Sequence, residues 1–242
     1  MGDDEKLVSM SGSPIYVHKE RERSFKPAAS SEDGEQIEKH IERYLGPIEW
    51  VWHEIVSDLV HLDVQYIKPT PERNVHTLVS TGMSDLPMSP PAGAEGSEYA
   101  ELLITLPAEW PVSEEDFKNE KDYWPVGLLK WLARFPHEYE TWLWWGHTVP
   151  NGNPPEPYHP STKFAGAILA PPVTVSQEFL SFKCRPDKEV SFFSVIPLYP
   201  EEMDLKLRKG SDALFDLFDK SGVNEIIDVH RKNVAKKWWR IG

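Results

Sequence analysis

A serine set between glycine and aspartate is the first arrangement in this sequence that could do covalent chemistry. Gly82-Met83-Ser84-Asp85-Leu86 begins like the strained elbow that exposes a nucleophilic serine, but that elbow needs glycine where Leu86 stands. The sequence places no histidine to take the serine proton. Ser84 and Asp85 are therefore read as short polar side chains satisfying backbone donors in a turn, and Gly82 as the residue that permits it. His53-Glu54 opens a zinc-protease pattern that fails at Ser57, where histidine is required. His76, His147 and His159 stand on separate elements, and no three His, Asp or Glu side chains are expected to converge on a metal. Gly93 and Gly96 lie in a Pro/Ala/Glu loop with no following lysine, so no phosphate loop and no cofactor is expected. The acid pairs Glu114-Glu115 and Glu201-Glu202 fall at helix starts, where the helix dipole accounts for them. Asp228, His230 and Arg231 end an apolar stretch and suit charged hydrogen bonds that lock the C-terminal segment. The reading is of a protein that is not an enzyme.

The elements that must position these residues follow from periodicity. Ala100, Leu102, Ile104 and Leu106 share one parity of a strand, and Tyr99, Glu101, Leu103 and Thr105 the other. One face is apolar and one mixed. Val75, Thr77, Val79 and Thr81 make the strand before it, and Val60 to Tyr66 alternates as a third. Val190 to Leu198 is apolar on both parities, as a strand covered on two faces would be. Trp142 to Val149, Phe164 to Ala170, Phe179 to Lys183 and Asn224 to Val229 read as further strands. Ile37, Ile41, Tyr44 and Leu45 line one side of a helix that Asp33 can cap and Gly46-Pro47 stops. Ser113 and Asp116 signal a short helix. Leu128, Leu129, Leu132 and Phe135 stripe the next one, which Pro125 opens and Pro136 closes. Pro200 opens another, Ser211 caps one ending at Gly222, and the KKWW tail reads as a last short helix. Helices without a strict strand–helix rhythm mean an α+β class, a mixed β-sheet with helices packed around it.

Residues 1–30 read as a loosely ordered arm and 31–242 as one domain. With 26 Lys and Arg against 39 Asp and Glu, the formal charge is −13, which argues against nucleic-acid binding, for which a basic face is needed. It suits either ordinary solubility or an acidic face for a basic partner. No apolar run is long enough to span a membrane, and the N-terminus lacks the apolar core of a secretory signal. A single cysteine, Cys184, fits a reducing, cytoplasmic setting. Glu101, on the mixed face beside Tyr99 and Leu103, is either solvated or part of a partner surface.

Several segments, in order, resemble the suppressor-of-fused (SUFU) domain family: STGMSDLPM, YAELLITLPAEW, WPVGLLKWLARF, GHTV, VSFFSVIPLYPEEMDLKLRKG and EIIDVHRKNV. The resemblance runs roughly from Ser31 to Val234. It implies a non-catalytic interaction module of the compact bacterial type, without the long C-terminal lobe of the eukaryotic member. In that member a peptide adds as a β-strand in a cleft. By the matching motif Glu101 would face the partner, with Tyr99 and Leu103 beside it and Thr77 where the family carries an aromatic. Compact members suggest an immunity protein that neutralises a basic toxin. The alternative is a peptide-binding adaptor, and a hydrolase is a distant third. Gly82, Ser84, Asp85, Asp228 and Arg231 would be structural.

Overall fold

The computed structural model describes residues 7–18, 28, 33–53 and 59–236. Their order is β1 (Leu7–Val8), β2 (Pro14–Ile15), α1 (Gly34–Leu45), β3 (Ile48–Trp52), β4 (Asp63–Ile67), β5 (Val75–Thr81), β6 (Ala100–Pro107), α2 (Glu120–Tyr139), β7 (Thr148–Pro150), β8 (Gly166–Ala170), β9 (Ser181–Arg185), β10 (Lys188–Leu198), α3 (Pro200–Lys209) and α4 (Ser211–Ser221). Short 3-10 turns occupy Met83–Asp85, Asp116–Lys118 and Gln177–Phe179.

Eight strands make one mixed sheet in the order β3-β4-β5-β6-β10-β8-β7, with β9 also paired to β10. Neighbours are antiparallel except β6 and β10, which run parallel with Ala100 opposite Ser191 and Leu103 opposite Ser194. The α+β class expected from the sequence is the class observed. Strand alternation then decides what covers each face. Leu78, Leu102, Ile104, Leu106 and Val195 pack with Val126, Leu129 and Leu132 of α2. On the other face Val79, Leu103 and Phe192 pack with Ile37, Ile41 and Leu45 of α1, while Ile168 and Ile196 pack with Leu205 of α3 and Leu214 and Phe218 of α4. Both faces are buried, as the two-sided apolarity of β10 requires.

Four local expectations give way. Asp33 precedes α1 but makes no side-chain cap; its Oδ2 instead takes Lys188 Nζ at 2.7 Å, with Arg185 Nη2 at 3.4 Å. A buried ammonium is a stronger claimant than a backbone N–H. Helix α2 begins at Asn119, whose side chain accepts from Lys121 N, and passes through both Pro125 and Pro136. Each proline removes a helical hydrogen bond at a cost near 3 kcal/mol, which the burial of Trp124, Leu128, Leu129, Leu132 and Phe135 offsets. Trp142 to His147 is not a strand: Gly146 has φ +77°, and Trp144 N donates to His147 Nδ1, closing a turn before β7. Asn224 to Val229 contributes a single bridge, Ile226 beside Thr105, rather than a strand.

Of the N-terminal arm, residues 7–18 form the β1–β2 hairpin, laid against the domain through Ser11 N to Leu207 O at 3.0 Å and Tyr16 edge-on to Trp142. The expected tail helix at KKWW falls almost wholly outside the described residues.

Candidate functional site

The turn after β5 and the acid on β6 form one unit. Gly82 has φ +101°, a conformation that costs glycine nothing. An added Cβ would lie 1.9 Å from the carbonyl oxygen of His61, so the turn is also pressed against backbone. Glu101 fills it from the neighbouring strand. Its Oε1 accepts from Gly82 N at 3.1 Å, Ser84 N at 2.9 Å and Ser84 Oγ at 2.7 Å, and its Oε2 from Ser80 Oγ at 2.6 Å. Ser80 Oγ in turn accepts from Leu102 N at 2.8 Å. His137 Nε2, on α2, lies 2.8 Å from Met83 O and pins the turn from the other side.

This overturns the expectation for Glu101 and its neighbours. Glu101 is 0% exposed, and Leu103 and Thr77 are equally buried, beneath α1 in the first case and against Arg73 Nη1 in the second. Tyr99 is half-buried, with Lys188 Nζ 5.0 Å from its ring centre. The mixed face of β6 is therefore interior. Parity told which side chains share a face, but not that a helix from residues 34–45 would cover it. Burial raises the Glu101 carboxyl to about 7, against the lowering pull of Ser80 and Ser84, with Asp85 raising it further. Glu101 thus satisfies two of the turn's backbone donors, Gly82 N–H and Ser84 N–H. Ser84 is buried with its hydroxyl given to Glu101, so it presents no nucleophile to solvent. Ser80, which orients Glu101, was missed; its only signal was a polar residue of the same parity as Leu78.

Gly82→Ala should lose about 2–3 kcal/mol of stability from positive φ and the backbone clash together. Chemical denaturation measures it, and a midpoint equal to the parent's would refute the turn.

Near the C-terminus the charged contacts centre on Arg231. Its Nη1 and Nη2 meet Glu202 Oε1 at 2.7 Å and Oε2 at 2.6 Å, and Nη2 also reaches Pro197 O at 2.9 Å. The guanidinium packs on the rings of Phe164 and Tyr199 at 4.9 Å and Phe218 at 5.4 Å. Glu202, credited from sequence to the helix dipole, is the buried partner, and it also accepts from Tyr199 N and Val234 N. Asp228 is exposed and only shapes its own turn, taking His230 N at 2.8 Å.

One expectation about metals also fails. His53 Nδ1 lies 3.0 Å from Asp63 Oδ2, and His61 Nε2 lies 3.2 Å from Asp63 Oδ1. The three ligand atoms fall within 4.8 Å of one another, so three such side chains do converge. Among the described residues, no helix is long and apolar enough to cross a membrane.

Comparison with known proteins follows this geometry. A suppressor-of-fused homologue from Neisseria gonorrhoeae superposes with a TM-score of 0.61 at 18% identity, covering 84% of this chain and 97% of that one. A chain of the Sufu–Fu complex gives 0.58 at 14%, covering 86% and 93%. Drosophila Suppressor of Fused gives 0.57 at 14%, covering 87% of this chain and 52% of that one. At such identities the likeness is one of fold. A search of curated protein sequences finds no match. The sequence profile described as suppressor of fused protein (SUFU) matches residues 58–232, a span that holds the Gly82 turn, Glu101 and the Arg231 lock. With most of its length inside that match, the chain belongs to the SUFU family.

Proposed function

We propose that this chain is a non-enzymatic protein-binding module whose partner is a basic protein, most specifically a toxin that it neutralises in the cytoplasm. The observation that carries the binding role is family membership, joined to a structure of this fold held in complex with a second protein, Fu. The net charge of −13 supports a basic partner, since opposite charge speeds encounter and selects among partners. The burial of Ser84 supports a binding role over an esterase-like one.

A partner's strand has a place to dock. β3 is a sheet edge with β4 as its neighbour, and its Trp50 is 38% exposed, stacked 3.9 Å from Tyr66 with Trp52 beside it. An edge strand flanked by aromatic side chains suits strand addition. The role formerly expected of Glu101 passes to this edge, because an interior carboxylate cannot meet a partner without unfolding.

The test is to co-express the chain with the product of the neighbouring gene and titrate the purified pair at two salt concentrations. Rescue of growth, tight binding and weakening at high salt are expected. Trp50→Ala should cost about tenfold in affinity and leave the chain folded, with only the modest loss of stability expected from one ring stacked on Tyr66. Absence of binding would sink the toxin reading. Binding untouched by Trp50→Ala would move the contact elsewhere.

A further inference from the structure

We propose that His53, His61 and Asp63 form a binding site for a divalent transition-metal ion of the zinc class. The arrangement follows from strand geometry. In the β3–β4 pair Trp52 stands opposite Val64, so His53, just past the end of β3, falls opposite Asp63 at the start of β4. His61 is two residues before Asp63 and so shares its side in extended chain. Two imidazoles and a carboxylate are thereby brought to one spot at the sheet edge.

The backbone under the site is held firmly. Asp63 pairs with Thr81 in β5, and the His61 carbonyl rests against Gly82, whose N–H is fixed by Glu101. The carboxylate is 18% exposed and the two imidazoles 69% and 41%, so the site opens to solvent on a rigid floor. Asp63 offers a different oxygen to each histidine, and donor atoms 3.0 and 3.2 Å apart match those around an ion bound at about 2.0–2.2 Å.

The ligand set selects the metal. Calcium and magnesium want oxygen donors, whereas two imidazoles with one carboxylate suit zinc and its transition-metal neighbours. To bind, each histidine nitrogen now facing Asp63 must offer its lone pair, keeping any proton on the other ring nitrogen. A proton carried there beforehand is released to solvent. Three protein ligands leave a coordination position open to water or to a side chain from elsewhere.

The experiment titrates zinc alone into the untagged full chain by calorimetry, then cobalt for its absorption bands. One ion per chain with an affinity of about micromolar is expected. His53→Ala, at an exposed strand end, should weaken zinc at least about tenfold without shifting the metal-free melting curve. Asp63→Asn should do the same while keeping the side chain's shape, and His159→Ala should bind as the parent does. No zinc binding by the parent, or binding equal in His53→Ala and Asp63→Asn, would overturn the site. Because these readouts need no protein partner, they stand or fall apart from the toxin reading.

Discussion

Replacing Glu101 by alanine should lower the unfolding free energy by about 3–5 kcal/mol, enough to consume much of a domain's stability. The truncation leaves Gly82 N–H and Ser84 N–H buried with no acceptor, and releases two hydroxyls that had shorter, charge-assisted bonds. The hydroxyls can rotate to other acceptors, but the amides are fixed by the turn. Denaturant midpoints measure the loss, and a change under about 1 kcal/mol would show that the carboxylate is not the turn's keystone.

A pH dependence accompanies it. The carboxyl titrates near 4.5 when unfolded and at about 7 in the fold, because burial disfavours its charge. The folded state then holds the proton more tightly. This contribution to stability is fully present below about 4.5 and is lost as pH rises through about 7, amounting to at most about 3 kcal/mol. Glu101→Gln cannot titrate, so its stability relative to the parent should improve between pH 5 and pH 8. A constant difference across that range would contradict the raised value.

Replacing Arg231 by alanine should cost a comparable amount, about 3–5 kcal/mol, for a different reason. It strands the Glu202 carboxylate, which is wholly buried, and removes the donor from Pro197 O. It also empties the space among Phe164, Tyr199 and Phe218. Arg231→Lys should recover only part of the loss, since one ammonium cannot bond both carboxylate oxygens and the carbonyl while lying flat on the rings. Full recovery by lysine would mean that charge alone matters there. Thermal melts of the three proteins decide it.

These two residues also show what the sequence could and could not disclose. The Arg231 lock was visible because a cation closing an apolar segment needs an anion, although the partner, Glu202, hid behind an adequate helix-dipole explanation. Glu101 was visible as an anomaly on an apolar strand, but its meaning depended on α1, some sixty residues earlier in the chain. Strand parity is local, whereas cover is tertiary. The same limit explains α2, where buried side chains overrode two prolines, and the cluster of His53, His61 and Asp63, where His53 and Asp63 meet only through the register of an antiparallel pair. The strands β4, β5, β6, β8 and β10 were legible because each carried its own alternation or double-sided apolarity, whereas β3, with Trp50 and Trp52 in a stretch of mixed period, was not.

The parallel pairing of β6 with β10 has a consequence for how the protein is made. Ala100 leaves the ribosome long before Ser191, its partner, exists, and α2, β7, β8 and β9 are all synthesised between them. Until β10 emerges, β6 has one open edge, and β7 and β8 have no strand to join them to the rest. Pairing between ends so distant in sequence is slow, because chain closure precedes any contact that rewards it. A nascent chain stalled before residue 188 should therefore hold a β3–β6 sheet with an exposed apolar margin, the state in which chaperone capture or aggregation competes with folding.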